Sequence, residues 1–418
     1  LANQLLTRQE VTFAGLEDLE NDCVIVPNVY RDLDKEFGKA GGKIGDTIYV
    51  RKPQRYIGRD GQAYQPEPMV DTEVPIVINQ QSGVDIEFST AEKKLSIDDF
   101  KRRTLDKAML SIANKLDVRI ANSIMLNTAN FVGTPGSIPG LSTTDAFLVY
   151  SQANQKLVEG GFQMKGNRRI LVISAAAEVG WNDYAKQFFN PQDLLARQWK
   201  TGQVNENALG YLWHIDENVP TQAIGTLGGT PAVTTAGQTG TSINFNGATT
   251  NGAGFFNAGD IISFANVYAV NPQSRLSTGS LKQFVVQQAV TTAGGAGTLT
   301  IMEAIVPSGQ YQNVTAAPSA GALINVYNTA AAGQSALANV ATRQGLLWTP
   351  ECHAFVSFPG DVPEGVDMGF EARSQQIGVS LRFARVWDAY RDQWPNRFDV
   401  YYGMGPLYME GGVRISIS

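Results

Sequence analysis

Between Gln222 and Val340 the chain carries only four charged residues, Asp260, Arg275, Lys282 and Glu303. At the 17% charge of the whole sequence, a stretch of that length would hold roughly twenty. Gly, Thr, Ala, Ser and Asn dominate it, interrupted by β-branched and aromatic runs at Ile261–Val267, Phe284–Val290, Leu299–Val306 and Leu323–Tyr327. Surface helices need a polar, charged outer face, and a disordered linker would lack the apolar runs. Short strands separated by turn residues therefore predict a discrete all-β domain, a barrel or sandwich, over residues 222–340. The pairs Gly228-Gly229 and Gly294-Gly295 lack the following helix and lysine of a phosphate cradle and are read as hairpin turns.

The flanking sequence is of another kind. Lys43–Thr90 holds two β-branched segments, Asp46–Val50 and Val74–Ile78, around a charged stretch with Arg51, Lys52, Arg55, Arg59 and Asp60-Gly61. Asp-Gly suits a tight turn at positive φ, so an extended two-stranded hairpin with a charged tip is expected. Such a ribbon is marginal in water by itself and needs a partner surface. Arg51, Lys52, Arg55, Arg59 and Asp60 are accordingly the candidate intersubunit contacts. Downstream, Leu105, Met109, Ile112, Leu116, Ile120 and Ile124 recur at spacings of three and four. This predicts a long helix from about Ile97 to about Asn130, opened by Ser96 and Asp99, with Lys107, Lys115 and Arg119 off the apolar stripe.

A short helical pattern at Val11–Leu19 precedes these elements, and Thr143–Gly161, Arg169–Ile173 and Ala175–Phe189 read as helix, buried strand and helix. Charge returns at Arg343, and the last forty residues alternate: Val379, Leu381, Phe383; Phe398, Val400, Tyr402; Val413, Ile415, Ile417. Breaks at Trp394–Asn396, Gly403–Pro406 and Gly411-Gly412 complete the reading of an antiparallel meander with one face on the long helix.

Composition narrows the function. A net charge of −6 and a pI near 5.2 give no general attraction to phosphate. His214 and His353 are the only histidines and Cys23 and Cys352 the only cysteines. The cysteines are expected to be buried thiols of a reducing compartment, and adjacent Cys352 and His353 point apart in an extended segment. No GxSxG, HExxH, Walker loop or dinucleotide fingerprint occurs. No catalytic, cofactor-binding or metal-ligating residue is assigned, and the chain is not expected to be an enzyme. The best apolar run, Ile170–Ala177, falls far short of the roughly 18 residues of a spanning helix, and Leu1–Gln9 shows no secretory pattern. A soluble chain made in a cytoplasm, without a membrane partner, is expected.

This order of elements resembles the major capsid proteins of tailed bacteriophages, the Hong Kong 97-type fold. The segment Gly259–Pro272 (GDIISFANVYAVNP) is similar to the insertion-domain motif of podovirus coat proteins of the P-twenty-two type. The resemblance implies an α+β fold with a spine helix on antiparallel strands, a mixed axial lobe, an extended hairpin loop and an inserted barrel-like β-domain. It divides the chain into an N-terminal arm (1–42), an extended loop (43–95), a peripheral domain (96–135 and 373–418), an axial domain (136–221 and 341–372) and the insertion domain (222–340). It implies a homo-oligomeric icosahedral shell around double-stranded DNA, made in a bacterial host with a scaffolding protein and a portal, and DNA contacted at most non-specifically. A tail or decoration component of a virion is the alternative; it would share the Gly/Thr/Asn-rich β character but should show repeats, and none is found.

Overall fold

The computed structural model describes residues 13, 15–19, 22–31, 47–51, 56, 61–62, 73–89, 106–141, 145–162, 168–185, 207–249, 251–358, 360–362, 364–366, 368–374, 377–391 and 393–418. They form two compact units. The fold is α+β and rich in strands.

The first unit takes the described residues of Leu1–Arg51, Glu73–Ala121 and His353–Leu407. Its frame is a six-stranded antiparallel sheet. Strand β1 (Thr47–Arg51) pairs with β2 (Glu73–Ser89) from Thr47 opposite Val77 to Arg51 opposite Glu73, as the hairpin reading expects. The ribbon is not slender throughout, however. β2 runs on for 17 residues and pairs with β18 (Gln393–Pro406) from Ser89 opposite Gln393 to Ile78 opposite Gly403. On the other side of β18 lie β17 (Ser380–Arg385) and β16 (Met368–Arg373), and β15 (His353–Phe358) pairs with its C-terminal half.

The turns expected at Trp394–Asn396 and Gly403–Pro406 are strand interior. A Cβ on Gly403 would sit 2.6 Å from the Val77 carbonyl oxygen, so this glycine permits close backbone approach and makes no reversal. The chain reverses instead between Arg385 and Gln393.

Helix α1 (Asp106–Asn127) carries the predicted stripe. Met109, Ile112, Leu116 and Ile120 are fully buried, whereas Lys107, Ser111, Lys115 and Arg119 are exposed. Leu105, Lys101, Arg102, Arg103 and the Ser96/Asp99 cap lie outside the described residues. The helix ends three residues before the expected Asn130. There the Asn127 side chain turns back to donate to the Ser123 carbonyl at 2.7 Å, and Asn130 already starts a strand. On the buried face Asp117 accepts backbone N–H bonds from Val24, Ile25 and Val26 at 2.8, 3.1 and 3.1 Å. One carboxylate thus satisfies three amides that would otherwise be buried without partners.

The second unit includes the described residues of Asn122–Cys352 and Tyr408–Ser418. A seven-stranded mixed sheet runs β3 (Asn130–Val132), β19 (Gly412–Ser416), β14 (Ala341–Trp348), β4 (Ile170–Ile173), β6 (Tyr211–Ile215), β5 (Asn207–Ala208), with β7 (Thr221–Ala223) also on β14. Helices α2 (Ala146–Glu159) and α3 (Ala175–Ala185) match the expected positions, and the Asp145 side chain caps α2 by accepting from the Leu148 N–H at 3.1 Å. Residues 186–189 of the expected third helix lie outside the described residues.

The closing alternation proves not to be a single meander. Val413, Ile415 and Ile417 are buried in this second unit, where β19 runs antiparallel to β14 and parallel to β3. The Asn130 amide fixes the register by donating to the carbonyls of Glu410 and Gly412 at 3.3 and 3.0 Å. β15 and β16, within or overlapping the 341–372 stretch that the resemblance assigns to the axial domain, pair within the first sheet.

The charge-poor stretch forms two three-stranded sheets. One is β11 (Ser277–Val285), β10 (Ile261–Val270) and β13 (Ile324–Val326); the other is β12 (Gly297–Ile305), β9 (Gly240–Ala248) and β8 (Gly229–Val233). The run expected at Phe284–Val290 is shifted: its strand ends at Val285, opposite Ile261, because the preceding polar residues complete the pairing with β10. Gly294 and Gly295 hold φ of +60° and +76° between the mutual backbone bonds of Ala293 and Ala296, a two-residue hairpin that only such residues make readily.

Phe245, Phe255, Phe256, Phe264 and Phe284 lead the core of this region, which is completed by Ala129 and Phe131 from outside it. Phe131 of β3 meets the Tyr327 ring at 4.7 Å, and Gln283 brackets the Phe131 backbone by accepting its N–H at 2.8 Å and donating to its carbonyl at 3.1 Å. Nearby, fully buried Asp260 accepts from the Gly225 and Asn257 N–H groups and the Gln222 amide at 3.0, 2.8 and 3.1 Å, and buried Arg414 donates to the Gly259 carbonyl at 2.7 Å. Burial pushes Asp260 up to about 6, against the pull of those bonds and of Arg414.

Three outcomes follow from these contacts. Leu116→Ala should cost about 2–5 kcal/mol in unfolding experiments, and Phe131→Ala about 3–5 kcal/mol; an unchanged melting temperature in either would mean that the residue is not core. Because its carboxyl is raised in the folded state, Asp260 contributes stability that is complete below about pH 4 and is lost as the pH rises through about 6. Melting of the parent and of Asp260→Asn across pH 4 to 7 checks this: the parent should lose ground relative to the variant as pH increases, and a constant difference would contradict it.

Candidate functional site

Cys23, Cys352 and His353 are placed as packing groups. The Cys352 thiol is buried and pushed up to about 12, and burial brings the adjacent His353 imidazole down to about 3. A protonated thiol beside a neutral, enclosed imidazole has neither the thiolate nor the access of a nucleophilic pair. Cys23 is likewise buried, with its thiol raised by desolvation and by Asp117. No group of three or more metal-capable side chains occurs among the described residues. The open cleft of the second unit, between α2 and β11, is lined by Gln152, Ser263, Ser280, Asn325 and Asn328, with Lys156 held 3.5 Å from Glu159. Amides and hydroxyls of this kind bind but supply no acid–base pair.

The charged ribbon remains the candidate surface. Arg51 closes β1 with its side chain 77% exposed, and its Nε lies 3.3 Å from Glu73 Oε1 directly across the strand pair. An exposed pair of this geometry is worth roughly 0–1 kcal/mol, so Arg51 stays available to a stronger partner. Lys52, Arg55, Arg59 and Asp60 lie outside the described residues. Tyr49 and Tyr56 are also exposed, while Ile76 and Ile78 on the opposite face of β2 are fully buried. Ile78 packs with Val356 and Phe358 of β15 and thereby roots the ribbon in the sheet.

The interactions that hold this root were not singled out from sequence. Arg382 binds Asp399 through Nε at 2.8 Å and Nη2 at 2.6 Å, and also donates to Tyr401 Oη at 3.0 Å. Gln81 of β2 donates to the same Asp399 at 2.6 Å. Arg397 forks onto Asp85 at 2.8 and 3.0 Å, and this holds the Asp85 carboxyl below its ordinary value. The signal was present as charges at every second position of alternating strands: Arg382 between Leu381 and Phe383, Asp399 between Phe398 and Val400. Such bidentate pairs fix the register of β2 against β18 and β17, and hence where the ribbon leaves the sheet.

A family model described as P22 coat protein - gene protein 5 matches residues 16–415. No curated protein matches. Among solved structures, one of Mycobacterium phage Che8 is 12% identical, with a TM-score of 0.44 over 94% of this chain and 90% of that one. The capsid of cyanophage P-SCSP1u is 9% identical, with a TM-score of 0.43 over 94% and 86%. The capsid of Ralstonia phage GP4 is 10% identical, with a TM-score of 0.41 over 93% and 86%. With the family match spanning all but the two ends of the sequence, the chain belongs to the P22 coat protein family and is a shell-forming subunit of a bacteriophage capsid.

Proposed function

We propose that this coat protein closes its icosahedral shell with a scaffolding protein and a portal as partners, in the cytoplasm of a bacterial host, and that the shell meets its packaged double-stranded DNA only non-specifically. Its work is binding and not catalysis. The observation that carries the reading is the ribbon itself: two strands, anchored at one end in a six-stranded sheet and charged at the other, with the exposed Arg51 and the exposed Tyr49 along it. A two-stranded element with no core of its own is stable only when it lies on something. In a shell of identical chains that surface is the neighbouring subunit, and a weak ionic contact is repeated by every copy.

On this reading residues 1–42 are an arm, 43–95 the extended loop and 222–340 an inserted domain on the mixed lobe. In support of the last, β7 and β14 pair side by side, Ala223 opposite Ala341, so the chain enters and leaves the charge-poor region through adjacent strands. Arg51, Lys52, Arg55, Arg59 and Asp60 then act at the neighbour's surface, the cations against an acidic patch. Reversing Arg55 and Arg59 to Glu should give a chain that folds and melts like the parent but assembles poorly, with the defect eased by charge reversal on the partner face. Shells formed by the double variant at the parent's yield and salt would refute the clamp.

A further inference from the structure

We propose that Lys282 and Asn313 of the charge-poor region join covalently, through an isopeptide bond that the region forms within itself with Glu303 as its acid–base group. Lys282 lies on β11, Glu303 on β12, and Asn313 in the segment that follows β12. One carboxylate holds both reacting groups. Glu303 Oε2 is 2.9 Å from Lys282 Nζ, and Glu303 Oε1 accepts from Asn313 Nδ2 at 2.8 Å. Lys282 and Asn313 are both buried, at 9% and 7% exposure. The region carries only four charged residues, and two of them meet here beside a buried amide.

The Asn313 amide is also fixed for attack. Its Oδ1 accepts from the Val306 N–H at 2.9 Å, and its Nδ2 donates to the Ala304 carbonyl at 2.7 Å as well as to Glu303. An asparagine amide is a poor electrophile in water. Here a backbone donor stands at the oxygen that takes up negative charge when Cγ is attacked. The carboxylate stands at the nitrogen that needs a proton in order to leave. Lys282 and Asn313 together line a cavity of about 30 Å³, enough for a water-sized molecule such as the departing ammonia.

The reaction needs nothing from outside. The Lys282 ammonium gives a proton to Glu303, and the neutral amine attacks Asn313 Cγ. The Nζ–Cγ bond forms as the carbonyl π electrons move onto Oδ1, where the Val306 N–H meets them. Collapse of this adduct restores the carbonyl and breaks Cγ–Nδ2. Glu303 protonates the departing nitrogen and takes the second Nζ proton, which leaves on the ammonia. One ammonium and one primary amide thus become one secondary amide and one ammonium ion, and Glu303 ends as the carboxylate it began as. Holding amine and amide on one carboxylate makes the exchange intramolecular, the condition under which so slow a reaction proceeds. The product ties β11 to the chain beyond β12 and removes freedom from the unfolded state, as any cross-link does. It forms in the free subunit as readily as in a shell.

Intact-mass spectrometry of the full chain, folded and then denatured, is the test. The parent should be lighter than its sequence by one ammonia, and a chymotryptic digest should contain a branched peptide joining Lys282 to Asn313. Glu303→Gln, which keeps the shape and removes the proton acceptor, should show the full sequence mass. Lys282→Arg and Asn313→Ala should do the same. A succinimide at Asn313 would also lose ammonia, but it gives no branched peptide and persists in Lys282→Arg. A parent that keeps its full sequence mass after prolonged storage in the folded state would overturn the proposal, as would loss of ammonia without the branched peptide. If the variants misfold, the mass and digest of the parent decide alone.

Discussion

The pairing of β2 with β18 is the interaction on which the first unit depends. Over its length the two strands exchange an antiparallel ladder, and at its ends the same two strands become the projecting ribbon and the β17–β18 hairpin. Because side chains alternate with period two, a slip of one residue would turn Ile76 and Ile78 to solvent and the exposed tyrosine of β1 inward. The forked pairs Asp85–Arg397 and Arg382–Asp399, with Gln81 on the same carboxylate, make that slip costly. Register is therefore a functional quantity here. It sets the direction and reach of the ribbon, and a shell built from many copies multiplies any error in it.

Buried carboxylates play a related part where the chain must be tied across long sequence separations. Asp117 takes three amides from the segment after the N-terminal helical residues, and Asp260 takes two amides and the Gln222 side chain. Each carboxylate is enclosed, and each is satisfied by directed donors. Removing such a group strands several buried donors at once, which costs more than the bonds themselves contribute. The charge-poor region leans on the same device at its root while its interior is held by phenylalanines packed among aliphatic side chains such as Ile243, Leu299, Ile301 and Ile324.

The sequence was legible wherever one period governed a segment. The stripe from Met109 to Ile120 is buried as its spacing predicts, and the Gly294-Gly295 turn falls where glycine's freedom requires it. Reading failed where one residue type serves two geometries. Gly403 and Pro395 look like punctuation but lie inside β18, the glycine for close backbone approach and the proline with its carbonyl accepting from Val386. Strands β8 and β9 went unread because threonine, asparagine and glycine hide their alternation. The change of partner by β19 is a tertiary choice that local pattern does not encode, since Val413, Ile415 and Ile417 would suit either sheet. Of the candidate site, Arg51, read as part of the charged stretch between the strands, is the last residue of β1 and pairs across to Glu73. The Arg382–Asp399 fork escaped notice because its partners are brought together only by the strand register.

Electron microscopy of particles assembled from the full-length chain tests the central claim most directly. The account predicts closed shells of uniform diameter whose density shows the β2–β18 ladder intact within each subunit and the β1–β2 ribbon lying on a neighbour. A chain that stays monomeric at high concentration with and without a scaffold, or shells in which the ribbon folds back on its own subunit, would contradict it.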